Sequence, residues 1–155
     1  FGNLLAIGLP LLLLAVGYLV VRELAGPSPE EISAEVIALE AADGCDLAGA
    51  GCTLRAIDGL EVVIGAEGTV APLRRFGLVI RTGATVDEAR LLLEMKGMEM
   101  NVQPVVFSPT AAGRLEGSTI LPACPAGRDD WEAQLRLMSA GRWYGGTIPF
   151  NAGGT

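Results

Sequence analysis

The sequence predicts a mainly β fold, an immunoglobulin-like β-sandwich anchored by one N-terminal transmembrane helix, and three observations carry that expectation. Residues 1–21, FGNLLAIGLPLLLLAVGYLVV, hold no charge. Beyond them, short apolar runs containing β-branched residues recur between Gly and Pro, which is strand punctuation. Composition agrees: half of the 155 residues are hydrophobic but only 5% are aromatic, and Gly and Pro number 21 and 9. Such a core is built of Leu, Val, Ile and Ala, and such a chain turns often. The length suits one domain plus one extra element.

Residues 1–25 form the membrane element. At about 1.5 Å per residue the uncharged run extends about 30 Å, the thickness of a bilayer's hydrocarbon core, before Arg22 and Glu23 close it. A secretory signal has a shorter apolar region and a small-residue cleavage site, which ELAGPSP supplies poorly. Pro10 removes one backbone hydrogen bond in mid-span and predicts a kink. Gly8 and Gly17 thin the surface so that another helix can approach. Pro10, Gly8 and Gly17 are therefore candidate partner contacts as well as features of a plain anchor.

GPSPEE, residues 26–31, reads as a linker, and Ser28 with Glu31 fits a capping box that would admit a helix. Residues 32–155 form the exported domain. Its first strand is expected in AEVIALEA, ending before Asp43-Gly44. The runs LEVVIGA, FGLVIRT, EARLLLEM, VQPVVFS, RLEGSTIL and WEAQLRL follow as strands. In the last of these, Trp131, Ala133, Leu135 and Leu137 alternate with Glu132, Gln134 and Arg136, the period-two signature of a sheet with one wet face. A hairpin at SAG leads into RWYGGTIPF. Seven or eight strands so spaced indicate the sandwich.

Three cysteines occur, two of them close together in CDLAGAGC. A Cys45–Cys52 bridge would contribute about 2–3 kcal/mol in the chain-entropy estimate and implies an oxidising compartment; two reduced buried thiols are the alternative. A zinc site would need two further ligands, and none stands nearby. With one anchor, an acidic body and a disulfide, the domain is expected outside the cytoplasm.

The chain has no histidine, which removes Ser-His-Asp triads, Cys-His pairs, His-ligated zinc, His-ligated haem and blue copper together. Asp129 and Asp130 read as a solvated turn without an acid/base partner, so no enzyme is expected. The formal charge is −7 with 11 Lys plus Arg. No basic stripe is present to neutralise phosphates, and nucleic acid is not an expected partner.

LEMKGMEMNV, residues 93–102, gathers three of the four methionines. Leu91, Leu93 and Met95 share one strand face, and strict alternation would put Met98 and Met100 on the other. A bulge at Gly97 would return both to the face of Met95. The three thioethers then either fill an irregular end of the core or form a soft cluster for Cu(I), to which Cys124 of LPACPAG could add a thiolate. Trp143 and Tyr144 either cap the core or meet a neighbouring subunit.

GMEM (97–100), GRLEGSTIL (113–121) and the stretch from Gly127 to Trp131 resemble the FixH family of membrane-anchored accessory proteins and its YtkA-like relatives. They match that family's Met-x-Met strand end, glycine-led strand and Gly-then-Trp strand start. The resemblance covers the anchor and the later part of the chain. CDLAGAGC and LPACPAG depart from the usual pattern, and the spacing from Met-x-Met to Trp is expanded, which marks a divergent branch. The resemblance implies a single-pass protein of the bacterial inner membrane with its sandwich in the periplasm. It also implies a non-catalytic accessory or assembly role for a respiratory haem-copper oxidase or supercomplex, an integral membrane partner, and a part in its copper supply.

Overall fold

Alternating burial along the chain turns apolar runs into strands with one face inward. The computed structural model of the protein describes residues 35–98 and 102–153. The expected transmembrane helix, the linker, the capping box and Met100 lie outside these residues, and with them Pro10, Gly8 and Gly17. Among the described residues there are strands but no helix, and so none long and apolar enough to cross a membrane. The fold of this part is mainly β.

The strands are β1 (Val36–Ala41), β2 (Cys52–Ala56), β3 (Glu61–Glu67), β4 (Arg75–Thr82), β5 (Glu88–Met95), β6 (Val105–Val106), β7 (Ser108–Ala111), β8 (Arg114–Ile120), β9 (Asp130–Ser139) and β10 (Arg142–Asn151). Hydrogen bonding orders them β6-β5-β9-β10-β1-β2-β3-β4-β8-β7. Two segments change partner halfway. Residues 36–38 of β1 run parallel to β10, whereas residues 39–41 run antiparallel to β2. Likewise β6 pairs with β5, and after Phe107 the chain continues as β7 against β8. Each switch is a corner at which one half of the sheet passes into the other, giving a sandwich or barrel-like body.

The first corner needs glycine. A Cβ on Gly146 would sit 2.6 Å from the Leu39 carbonyl oxygen and 2.9 Å from the Leu39 Cβ. No side chain fits there, so β1 can lie against β10 before it bends to β2. The core between the halves is aliphatic, as composition suggested: Leu54, Val62, Ile64, Leu78 and Ile80 face Leu91, Leu93, Leu135, Leu137 and Ile148, all buried. Trp131 is buried among them and stacks on Phe150 with ring centroids 6.5 Å apart.

The expected alternation in β5 and β9 is observed. Three expectations are corrected. VQPVVFS is not one strand, because the corner at Phe107 splits it into β6 and the start of β7. CTLRA, directly after the Gly-rich loop, forms β2, which pairs with β1 and β3. The strands thus exceed the seven or eight expected. The antiparallel registers also sort the loops into two groups. At one end lie the start of β1 and the β2–β3, β4–β5, β7–β8 and β9–β10 turns. At the other lie the Cys45–Cys52 loop, the β3–β4 loop, the end of β5 and the β8–β9 loop.

Candidate functional site

Met95 is the last residue of β5, and the chain reverses immediately after it. The Met98 N–H donates to the Met95 carbonyl at 3.0 Å, and Gly97 takes φ +75°, the left-handed position such a turn requires. Met95 and Met98 face each other as an isolated antiparallel bridge. Residues directly opposite in such a pair project to the same side. The two thioethers thus share a face through a tight turn, which replaces the bulge expected at Gly97. Met95 is 1% exposed and belongs to the core; Met98 is half-buried and packs against it.

The β8–β9 loop brings Cys124 to this turn. Its Sγ lies 3.9 Å from the Met98 Sδ, and the thiol is half-exposed. The Gly127 N–H donates to the Cys124 carbonyl at 3.0 Å, which folds Pro125 and Ala126 into a turn of their own. Arg128 joins the two loops: its Nη2 donates to the Lys96 carbonyl at 2.9 Å and its Nε to Asp130 at 2.8 Å. The guanidinium holds the Asp130 carboxyl below the usual carboxylate range. Asp130 in turn strengthens the protonation of Arg128.

A thiol and a thioether at this separation match one piece of coordination geometry. A metal about 2.3 Å from each sulfur, at tetrahedral to trigonal angles, puts the sulfurs about 3.8–4.0 Å apart. Among the described residues no group of three or more Cys, Asp and Glu converges. A metal at this place would be held through thioethers, and soft sulfur donors select Cu(I).

Cys45 and Cys52 lie as disulfide partners, with Cα atoms 4.6 Å apart. The loop between them is ordered by its own backbone. The Gly51 N–H donates to the Asp46 carbonyl at 2.8 Å, and the Ala48 N–H to the Asp46 carboxylate at 3.0 Å. Leu47 is buried, and its carbonyl accepts from the Ala66 N–H at 3.0 Å, closing the loop onto β3.

Of the two aromatics near the C-terminus, Tyr144 takes the core use. It is 2% exposed, and its hydroxyl donates to Asp58 in the β2–β3 turn at 2.8 Å. Arg142 closes the group at 2.9 Å from the same Asp58 oxygen and lies over the Tyr144 ring. The tyrosine hydroxyl, more than Arg142, lowers the Asp58 carboxyl below its ordinary value, and Asp58 raises the tyrosine. Trp143 is half-exposed. This group stands at the end where β1 begins, away from the sulfurs.

Asp58 and Arg128 are the residues that sequence reasoning missed. Asp-Gly at 58–59 signals a turn, but nothing local announces a partner 86 positions later. No protein-family model, no curated protein and no solved structure matches the chain.

Proposed function

We propose that the protein is a non-catalytic, single-pass accessory or assembly subunit of a respiratory haem-copper oxidase or supercomplex, held in the bacterial inner membrane with an immunoglobulin-like sandwich in the periplasm. The oxidase role rests on the FixH resemblance, and the strand order supports the sandwich in it: β3-β4-β8-β7 can be matched to strands A-B-E-D of an immunoglobulin-type sandwich and β10-β9-β5 to G-F-C, with β1 and β2 added where β1 bridges the halves. That is a scaffold for presenting loops, it follows an uncharged 21-residue run, and it is the kind of domain the FixH resemblance implies. The Cys45–Cys52 pair supports the oxidising side. The test is purification of the full chain from its native membrane in mild detergent with identification of what accompanies it. Oxidase subunits are expected; a soluble chain lacking its leading segment, or a preparation without them, would remove the proposal.

A second reading, a Cu(I)-binding module, is favoured by one observation, the 3.9 Å between the sulfurs of Cys124 and Met98. Met98 and Cys124 would be the ligands at the surface, Met95 a third from the core side, and Met100 a fourth from the adjoining sequence. Binding would displace the thiol proton, since the thiolate is the ligand. Titration of the full chain with Cu(I) against a competing chelator decides it. Sub-micromolar binding, weakened at least about tenfold by Met98→Leu or Cys124→Ser, is expected; micromolar or weaker binding to the unmodified chain sinks it.

A further inference from the structure

Leu73 breaks two rules at once. It is a non-glycine residue at φ 60°, a left-handed conformation in which an L side chain is strained, and its apolar side chain is 72% exposed. The strain is not relieved by burial. It is fixed by the backbone: the Leu73 N–H donates to the Leu121 carbonyl at 2.8 Å, and Pro72 bridges Leu121 in parallel register.

The display opens onto a groove. Leu73, Arg75, Val102, Ile120, Leu121 and Pro122 are among the residues lining a space of about 550 Å³ at the end of β8, and Ile120 is itself 44% exposed. Among the described residues no carboxylate lines it. Arg74 and Arg75 are exposed beside Leu73, and Arg75 donates only to the Ser118 hydroxyl at 3.1 Å. Arg55, Arg81, Arg90, Arg114, Arg128 and Arg142 each pair with an Asp or Glu; Arg74, Arg75, Lys96 and Arg136 pair with none among the described residues, and of these only Arg74 and Arg75 are adjacent. In a chain with 18 Asp and Glu against 11 Lys and Arg, two adjacent cations without a carboxylate partner among the described residues, next to an exposed leucine, complement negative charge.

We propose that this groove docks an apolar segment of a partner protein that carries carboxylates next to its apolar side chains. Ile120 and Pro122 take the apolar anchors above the buried floor of Val102 and Leu121, Leu73 closes over them, and Arg75 at the groove with Arg74 beside it receives the carboxylates. Apolar anchoring supplies most of such an affinity, while the charges select the partner and its register. A recess of about 550 Å³ has room for side chains of a segment, whereas a bilayer would take up the protruding Leu73 and leave the recess beside it unfilled. The groove shares no residue with the sulfur site, so the inference stands apart from the copper reading.

The experiment puts a photo-crosslinking residue at position 120 of the full chain in its native membrane and sequences the adducts. Adducts on a partner segment whose apolar residues are flanked by Asp or Glu are expected. Arg74→Glu should reduce their yield at least tenfold. Leu73→Gly should do the same without lowering the thermal midpoint of the purified chain in detergent, because glycine accepts the left-handed backbone. Adducts confined to lipid, to a second copy of this chain or to a segment without carboxylates overturn the proposal, as does the absence of any adduct. A yield indifferent to Arg74→Glu, or a lowered midpoint in Leu73→Gly, overturns it equally.

Discussion

Tyr144 illustrates how a residue's role is set by what the fold brings to it. A core-capping ring was one of the two uses that RWYGGTIPF left open; its hydroxyl bond to Asp58 was not legible, because that bond joins the β2–β3 turn to the last strand. The same holds for Met98 and Cys124, 26 positions apart, where the Met-rich stretch was legible and the loop that meets it was not. The Asp58 group yields a pH prediction. A carboxyl lowered on folding contributes stability that is fully present above its ordinary value of 3.8 and is lost as pH falls through the lowered value. Thermal midpoints measured from pH 7 down to 2 should therefore drop below about pH 4. Tyr144→Phe should lower the midpoint at neutral pH and flatten the acid limb; an unchanged acid limb would show that Asp58 owes its shift to other neighbours.

At the scale of elements, periodicity identified strands wherever a strand keeps one partner and one wet face, as β5 and β9 do. It failed at the corners. β6 and β7 are one apolar stretch whose hydrogen bonds go to two halves of the sheet, and side-chain alternation carries no information about that change of partner. β2 was hidden because its five residues follow directly on the Gly-rich cysteine loop. Gly146 is the test of the corner at β1. Gly146→Ala drives a methyl group into the Leu39 backbone, and overpacking against backbone should destabilise by about 2 kcal/mol or more, read as a shift in the urea midpoint. A loss under about 0.5 kcal/mol would mean that β1 can separate from β10 without consequence. The Cys45–Cys52 loop gives a second measure: Cys45→Ser with Cys52→Ser should cost about 2–3 kcal/mol, and dithiothreitol should destabilise the unmodified chain while leaving the double variant unaffected.

For the molecule as a whole, the sequence supported a strand-rich body and an uncharged leading run, but it undercounted the strands, and strand order needs register, which is decided by contacts between distant segments. That order places the features with chemical potential together. The cysteine loop, the sulfur pair and the Leu73 groove occupy one end of the sandwich, and the Asp58 lock holds the end at which β1 begins. The β2–β3 turn and the start of β10 are tied by charge there, whereas at the sulfur end a loop after β5 and a loop before β9 meet through Arg128 and one thiol–thioether contact. A Cu(I) ion bridging Met98 and Cys124 would cross-link these loops and would favour the folded chain, in which the two sulfurs already stand together. Mass action sets the ceiling of the effect: free Cu(I) at about 100 times the dissociation constant stabilises by at most about 2.7 kcal/mol, less whatever the unfolded chain binds, a rise of up to several degrees in thermal midpoint for a domain of this size. Met98→Leu and Cys124→Ser, each weakening binding at least about tenfold, should cut that rise to about half or less and leave the copper-free midpoint nearly unchanged, because neither side chain is deep in the core. A midpoint indifferent to Cu(I), or raised equally in both variants, would leave the two sulfurs as packing and return the far end of the sandwich to protein contact alone.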